Sequence, residues 1–402
     1  MNDRQNMSAY YKKSAFAVRI SRYAVTFLFI TFLLACILIF GNDITAENIQ
    51  LLAKYITLSD GSSSLYTDEF SITSNENSDL LMMSDNLVVV RNNNISLLDL
   101  SGQKLFSYDY SYSSPAVKTD GRSILVHDIE GTELSVFNTF SKIKTLDFDY
   151  NVTCADINQK GLLVVSNEES YRSAIVVYNS HYEEIYRWLS SENYITDAQL
   201  SSDGKYVLAT YAEAHDGSYS CGVIILDTGV NSITPIHSAI ITDELPIKVG
   251  YSSNKDSIYV ITDSNIHFFS PDLELSQTHK FNQSKIENYY IGDDMIILTE
   301  RNNLSGKSMT LTGLSLSGNE MFNLNVYDEV HDISIGDGKF FALGSKNVFE
   351  FSKSNNSYYQ SNSKNIGEKY NAVLCDSDNN CYLTTNTKVK KISFTVDKEQ
   401  AK

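Results

Sequence analysis

Residues 201–210, SSDGKYVLAT, place a polar turn directly ahead of a short apolar run. Ser, Asp and Gly favour tight turns, and a short apolar run bounded by such residues reads as a strand. The same unit recurs as SDNLVVV (84–90), TDGRSILV (119–126), NQKGLLVV (158–165) and SNKDSIYVIT (253–262). It continues as GDDMIILT (292–299), GDGKFFAL (336–343) and DSDNNCYLT (376–384), which makes eight units. A second apolar strand running into a turn follows, as in ISLLDLSGQKLFSY (95–108), AIVVYNSHYEEIYRW (174–188) and LTGLSLSGNEMF (311–322). Aligning Leu98, Phe137, Tyr178, Leu226, Phe269, Leu314, Phe351 and Phe394 gives a period of roughly 37 to 48 residues, that of four-stranded propeller blades.

The predicted fold class is all-β, a β-propeller of about eight four-stranded blades, with seven as the alternative. A four-stranded blade cannot bury both faces alone, whereas neighbours in a ring cover them and leave only short edges. The last unit, 370–396, has room for three strands: NAVLCD, NCYLTT and VKKISF. LYTDEFSITS (65–74), ahead of the first full unit, is the expected fourth, which would lock the two ends of the domain together.

Ahead of the repeats, Tyr23 to Phe40 (YAVTFLFITFLLACILIF) is an uncharged run of eighteen residues. That is long enough for a transmembrane helix. Arg4, Lys12, Lys13, Arg19 and Arg22 precede it, and the first charges after it are Asp43 and Glu47. Basic flanks stay cytoplasmic, so the expected orientation is N-terminus in and propeller out. A cleaved signal peptide needs a shorter apolar core and an A-x-A-like site. Leu33-Leu34-Ala35-Cys36 resembles a lipobox, yet Ile37 to Phe40 continue the apolar run, so Cys36 reads as a membrane-buried thiol.

The expected organisation is a cytoplasmic tail (1–22), a transmembrane helix (23–41), a juxtamembrane helix and linker (42–64) and an extracytoplasmic propeller (65–402). Ala46, Ile49, Ala53 and Ile56 share one helical face, and Gly61-Ser62-Ser63-Ser64 reads as a flexible link. The whole chain carries a net charge of −17. With most of the basic flank before the span, the remainder is more acidic still. Such a domain repels phosphate backbones, which argues against nucleic acid and favours basic proteins or cations as partners.

LVVVRNNNISLLDLSGQKLFSYDYSYSSPAVKTDGRSILVHD (87–128), the apolar segment before it and SENYITDAQLSSDGKYVLAT (191–210) resemble one family. It is a bacterial, mostly clostridial, family of single-pass membrane-anchored propeller proteins of unknown function. The resemblance spans most of the chain and rests on structural motifs. It implies the fold and the location, and it brings no catalytic residues.

Chemistry is sparse. Cys375 and Cys381 flank the turn 376–380 of a predicted hairpin and are a candidate disulfide, which an oxidising exterior would permit. Cys154 and Cys221 read as small core residues. Asp376-Ser377-Asp378-Asn379-Asn380 spaces oxygen ligands alternately but lacks the Gly and distal Glu of a calcium loop. Asp293-Asp294 and Gly336-Asp337-Gly338 recur at the same blade position, which turn chemistry explains. His127, His181, His215, His237, His267, His279 and His331 show no metal-pair spacing, and His331-Asp332, at the start of an inner strand, is the best single candidate. There is no G-x-S-x-G elbow or P-loop, and with Trp188 as the one Trp the blade signature of quinone-dependent dehydrogenases is missing. No catalytic residue, metal site or cofactor is assigned.

The expectation is a membrane-anchored binding or scaffolding module of the cell envelope with an envelope protein or polymer partner. The alternative is an extracytoplasmic enzyme with a metal-assisted site in the propeller channel. Ala212–Ser220 and Arg301–Lys307 are the longer connections and the candidate contact loops.

Overall fold

The computed structural model describes residue 16, residues 20–32 and 34 and, apart from short internal segments, residues 69–394. The chain divides into two compact units, Met1–Ser64 and Leu65–Lys402. In the first, residues 20–32 are helical, and the helix leaves Tyr23, Phe27, Leu28 and Phe32 exposed. Among the described residues no helix is long and apolar enough to cross a membrane. The expected juxtamembrane helix, the Gly61–Ser64 link and Cys36 lie outside the described residues.

In the second unit the described residues form 32 strands, β1 to β32 in chain order, arranged as eight four-stranded antiparallel sheets. Seven blades each use four consecutive strands, beginning with β2 (Asp79–Met83) for blade one and ending with β29 (Ser357–Asn365) for blade seven. Blade eight has the order β1-β32-β31-β30, with β1 at Glu69–Ser71, β30 at Ala372–Cys375, β31 at Cys381–Thr384 and β32 at Lys388–Ile392. Glu69 pairs with Lys390, Phe70 with Val389 and Ser71 with Lys388. The segment ahead of the first full unit thus completes the last blade, as its strand count requires.

The eight turn-then-strand units become the second strand of each blade. The second and third strands of blade one, β3 (Asn86–Arg91) and β4 (Asn94–Asp99), each bury four residues in succession. A run buried on both faces reads as continuously apolar rather than alternating, because both sides of the sheet are covered. The covering is by neighbouring blades. Eight hydrophobic clusters are present among the described residues, one between each adjacent pair of blades. The cluster at the seam joins Leu374, Tyr382 and Val389 of blade eight to Leu87 and Val89 of blade one, with Ile72 just beyond β1.

Turn chemistry explains the near-copies LDLSG (98–102) and LSLSG (314–318). Gly102 has φ +84° and Gly318 has φ +97°. Their amides donate to Asp99 O at 3.0 Å and Ser315 O at 2.9 Å. Only a residue without Cβ enters that region at little cost.

Ile72 is 2% exposed at the seam. Replacing it with Ala should cost about 2–5 kcal/mol, the usual range for a large-to-small change in a packed core. Urea unfolding followed by circular dichroism measures this, and an unchanged midpoint would show that the seam adds nothing to stability.

Candidate functional site

The first strand of each blade lines the central channel. Its outer partner is the second strand, and its other edge faces the first strand of the next blade without a ladder. Unpaired edge amides need partners. In β10 (Val152–Asn158), Asp156 Oδ2 accepts from the amide of Leu200 in β14 (Tyr194–Leu200) at 3.1 Å. In β14, Asp197 Oδ2 accepts from the amide of Val249 in β18 (Pro246–Tyr251) at 3.0 Å. Gln199 Oε1 accepts from Tyr251 N at 2.8 Å. In β26 (Val330–Gly336), Asp332 Oδ2 accepts from Val373 N in β30 at 2.7 Å. A side chain of one blade thus caps the edge of the next.

A bulge places these groups. The register shifts once in β10, β14, β18 and β26, between Val152 and Cys154, Ile195 and Asp197, Pro246 and Lys248, and Val330 and Asp332. Asp197, Lys248 and Asp332 therefore occupy equivalent positions just after the extra residue. Lys248 Nζ lies 2.9 and 2.8 Å from the two oxygens of Asp197. Burial works against the Lys248 charge, but the Asp197 carboxylate beside it holds its pKa above the ordinary lysine value. Lys118, on β6 (Pro115–Thr119), faces the same group. Burial and the charge of Lys248 push its pKa down. Burial pushes Asp156 up. Two lysines and two aspartates from four successive blades thus form a mutually compensating group, with both carboxylates also engaged by backbone amides.

Toward blades seven, eight, one and two the channel widens into a cavity of about 790 Å³, lined among others by Asp79, Lys118, His331, Asp332 and Asn371. Asp332 is pushed up to about 6 by burial, against the pull of the Val373 and Ile333 amides. His331 is the bulge residue, and its Nε2 lies 3.3 Å from Tyr370 O in the next blade. The pair singled out from sequence therefore does line the channel, with both side chains engaged in linking blade seven to blade eight.

The other sequence candidates have structural surroundings. Cys375 and Cys381 stand directly opposite each other, and both are free thiols in this structure. Asp376 N donates to Asn380 O at 3.2 Å, so the cysteines occupy the adjoining position, where the ladder makes no hydrogen bond and side chains approach closest. Burial raises both thiols, Cys375 to about 12 and Cys381 well above the ordinary value. In the acidic turn that follows, Asp376 Oδ1 accepts the amides of Asp378 and Asn380 at 3.0 and 2.7 Å. Its Oδ2 accepts from Asn380 Nδ2 at 2.8 Å and from Tyr382 Oη at 2.9 Å. The carboxylate shapes the turn. Among the described residues no group of three or more His, Cys, Asp or Glu side chains is placed to hold a metal ion. Cys221 is buried in the core between blades four and five, and Cys154 packs against that between blades three and four. His267 is buried with Nε2 at 2.8 Å from Glu244 and Nδ1 at 3.0 Å from Thr278 Oγ1.

One contact loop needs correction. Residues 212–220, expected as a connection, lie mostly within β15 (Tyr206–His215) and β16 (Ser218–Asp227). Among the described residues these are the two longest strands, ten residues each. Ladder pairing with β16 carries the unpromising sequence Ala212-Glu213-Ala214 as a strand. Of the second loop only Arg301 and Asn302 are described, and Arg301 bonds Glu287 and, at 2.8 Å, Glu329. Large apolar side chains stay exposed around the blade-four hairpin: Tyr194 at 54%, Tyr219 at 42%, Leu245 at 41% and Ile247 at 39%. Tyr194 pairs with Ala212 and Tyr219 with Ala214, two positions apart on one strand, so both side chains leave the same face of that sheet. The Asp243 amide donates to Tyr219 O at 2.9 Å and brings the entry to blade five alongside.

The chain belongs to a family of unknown function (DUF5711), whose model matches residues 62–394. A search of curated proteins finds no match. Among solved structures, the C-terminal WD40 domain of Sif2 is similar with a TM-score of 0.55 at 11% identity, over 80% of this chain and 98% of that one. BamB from Moraxella catarrhalis gives a TM-score of 0.48 at 10% identity, over 81% of this chain and all of that one. At such identities the likeness concerns fold alone.

Two outcomes are expected. The Asp332 carboxyl binds its proton more tightly in the folded chain than in the unfolded one. Its contribution to stability is full below about pH 4 and is lost as pH rises through about 6. D332N should therefore flatten the pH dependence of urea unfolding over that window, and an unchanged slope would show a carboxylate already ionised at the acid end. Under oxidised glutathione, Cys375 and Cys381 should form a bond with each other, read by peptide mapping with mass spectrometry. Mixed disulfides with glutathione alone would rule the pairing out.

Proposed function

We propose that the chain is a membrane-anchored, extracytoplasmic and non-catalytic binding module of the cell envelope, as its likeness to single-pass clostridial propellers implies. The observation that carries this reading is the exposed ring face of blade four, where Tyr219 stands on the β15–β16 hairpin and Tyr194 on the strand paired with it. Exposed aromatics are the residues that interfaces concentrate, and a propeller holds them on a rigid frame. The anchor is supported by the uncharged run 23–40, by the basic residues before it and by the outward apolar side chains of the helical residues 20–32. The acidic balance of the chain suits a soluble domain held beside anionic lipid without lying on it.

The test uses the full chain in the cells that make it, with a photo-crosslinking amino acid in place of Tyr194. The expected result is a membrane-fraction protein whose ring is cut by protease added to cells stripped of their outer layers. Irradiation should give crosslinked adducts of discrete mass. Recovery in the soluble fraction would overturn the anchor, and an absence of adducts would overturn the binding face.

A further inference from the structure

The blade-four face has a chemistry that narrows its partner. Tyr194 and Tyr219, on β14 and β16, and Leu245 and Ile247, at the entry to blade five, supply exposed apolar surface. Glu192 precedes Tyr194 and Asp243 precedes Leu245 by two positions each, and both carboxylates are exposed. Two basic side chains of blade three are already engaged. Arg187 bonds Glu168 at 2.7 Å and Glu184 at 2.8 Å. Arg172 donates to Glu192 O at 2.7 Å, and its guanidinium lies 5.1 Å from the centre of the Tyr194 ring. The protein's own arginine thus shows how a cation sits on this surface. A ring has two faces, and Tyr194 remains more than half exposed after this contact.

We infer that this face binds a basic polypeptide segment that combines Lys or Arg with aliphatic side chains. The cations stack on Tyr194 and Tyr219 and pair with Glu192 and Asp243, while the aliphatic residues cover Leu245 and Ile247. Charge complementarity selects the class, since a chain with net charge −17 and exposed acids beside these aromatic side chains repels an acidic partner. Aromatic faces attract cations, which gives a contribution that a neutral segment lacks. The inference rests on the reading of the ring as a binding module.

The probe is a fluorescein-labelled synthetic peptide alternating Lys or Arg with Leu, titrated by anisotropy with the full-length chain in detergent micelles. The same peptide with Glu for each Lys or Arg is the control. The basic peptide should bind and the acidic one should not. Y194A and Y219A should each weaken binding about tenfold, as truncation of an aromatic anchor does. E192Q with D243N should weaken it less and reduce its salt dependence, with unchanged urea midpoints confirming that the variants fold. Equal binding by the variants, or by the acidic peptide, would overturn the inference. If photo-crosslinking at position 194 recovers a partner while the basic peptide fails to bind, the binding module stands and the basic class falls. Sedimentation showing self-association that Y194A abolishes would make the occupant a second copy and would likewise overturn it.

Discussion

Every sheet in this ring has two apolar faces, and its own blade covers neither. Burial therefore depends on the neighbours on both sides, and that condition is met everywhere only if the neighbours run in a closed circle. The eight interblade clusters are the consequence, each shared by two sheets. The seam cluster differs in one respect. It draws on Ile72, which the chain supplies some three hundred residues before the strands that it packs against. The three residue pairs of β1 with β32 fix that segment in place.

Covering the faces leaves the inner edges. Eight first strands around a channel present amides that no ladder satisfies, and the cavity wall cannot leave them bare. Asp156, Asp197, Gln199 and Asp332 answer this with one device, a side-chain oxygen aimed at the amide of the next blade. The charge that the carboxylates bring inward is then compensated by Lys248 and Lys118. The polar channel is thus a consequence of closing the ring, and its titrating groups read first as structure.

The legibility of the sequence follows the same division. Strands such as Asn86–Arg91 and Asn94–Asp99 are buried on both faces, so they spell continuous apolar runs between turn residues and stand out. The composition of blade eight was legible because its last unit had one strand too few. Of the channel strands, those at NAVLCD and at His331-Asp332 were legible, and others were not. Pro115-Ala116-Val117-Lys118-Thr119 carries a charge in a short run, and its meaning comes from residues on three other blades. A charged residue at the same place after successive bulges was the available signal, and irregular pairing hides that alignment. Residues 212–220 resisted for another reason: the partner strand, rather than local propensity, makes them extended.

The bipartite last blade also sets an order of events during synthesis. Blades one to seven each pair within one contiguous stretch, so their ladders need only short loops to close. Blade eight waits for Lys388–Ile392 while β1 has been present from the start. Until then β1 is a lone strand with two open edges, beside a sheet whose apolar face is bare. The same three pairs that complete one ring would serve equally between two unfinished chains. An open β1 edge is thus the point at which an unfinished ring is open to strand exchange, until the chain's own last strand covers it.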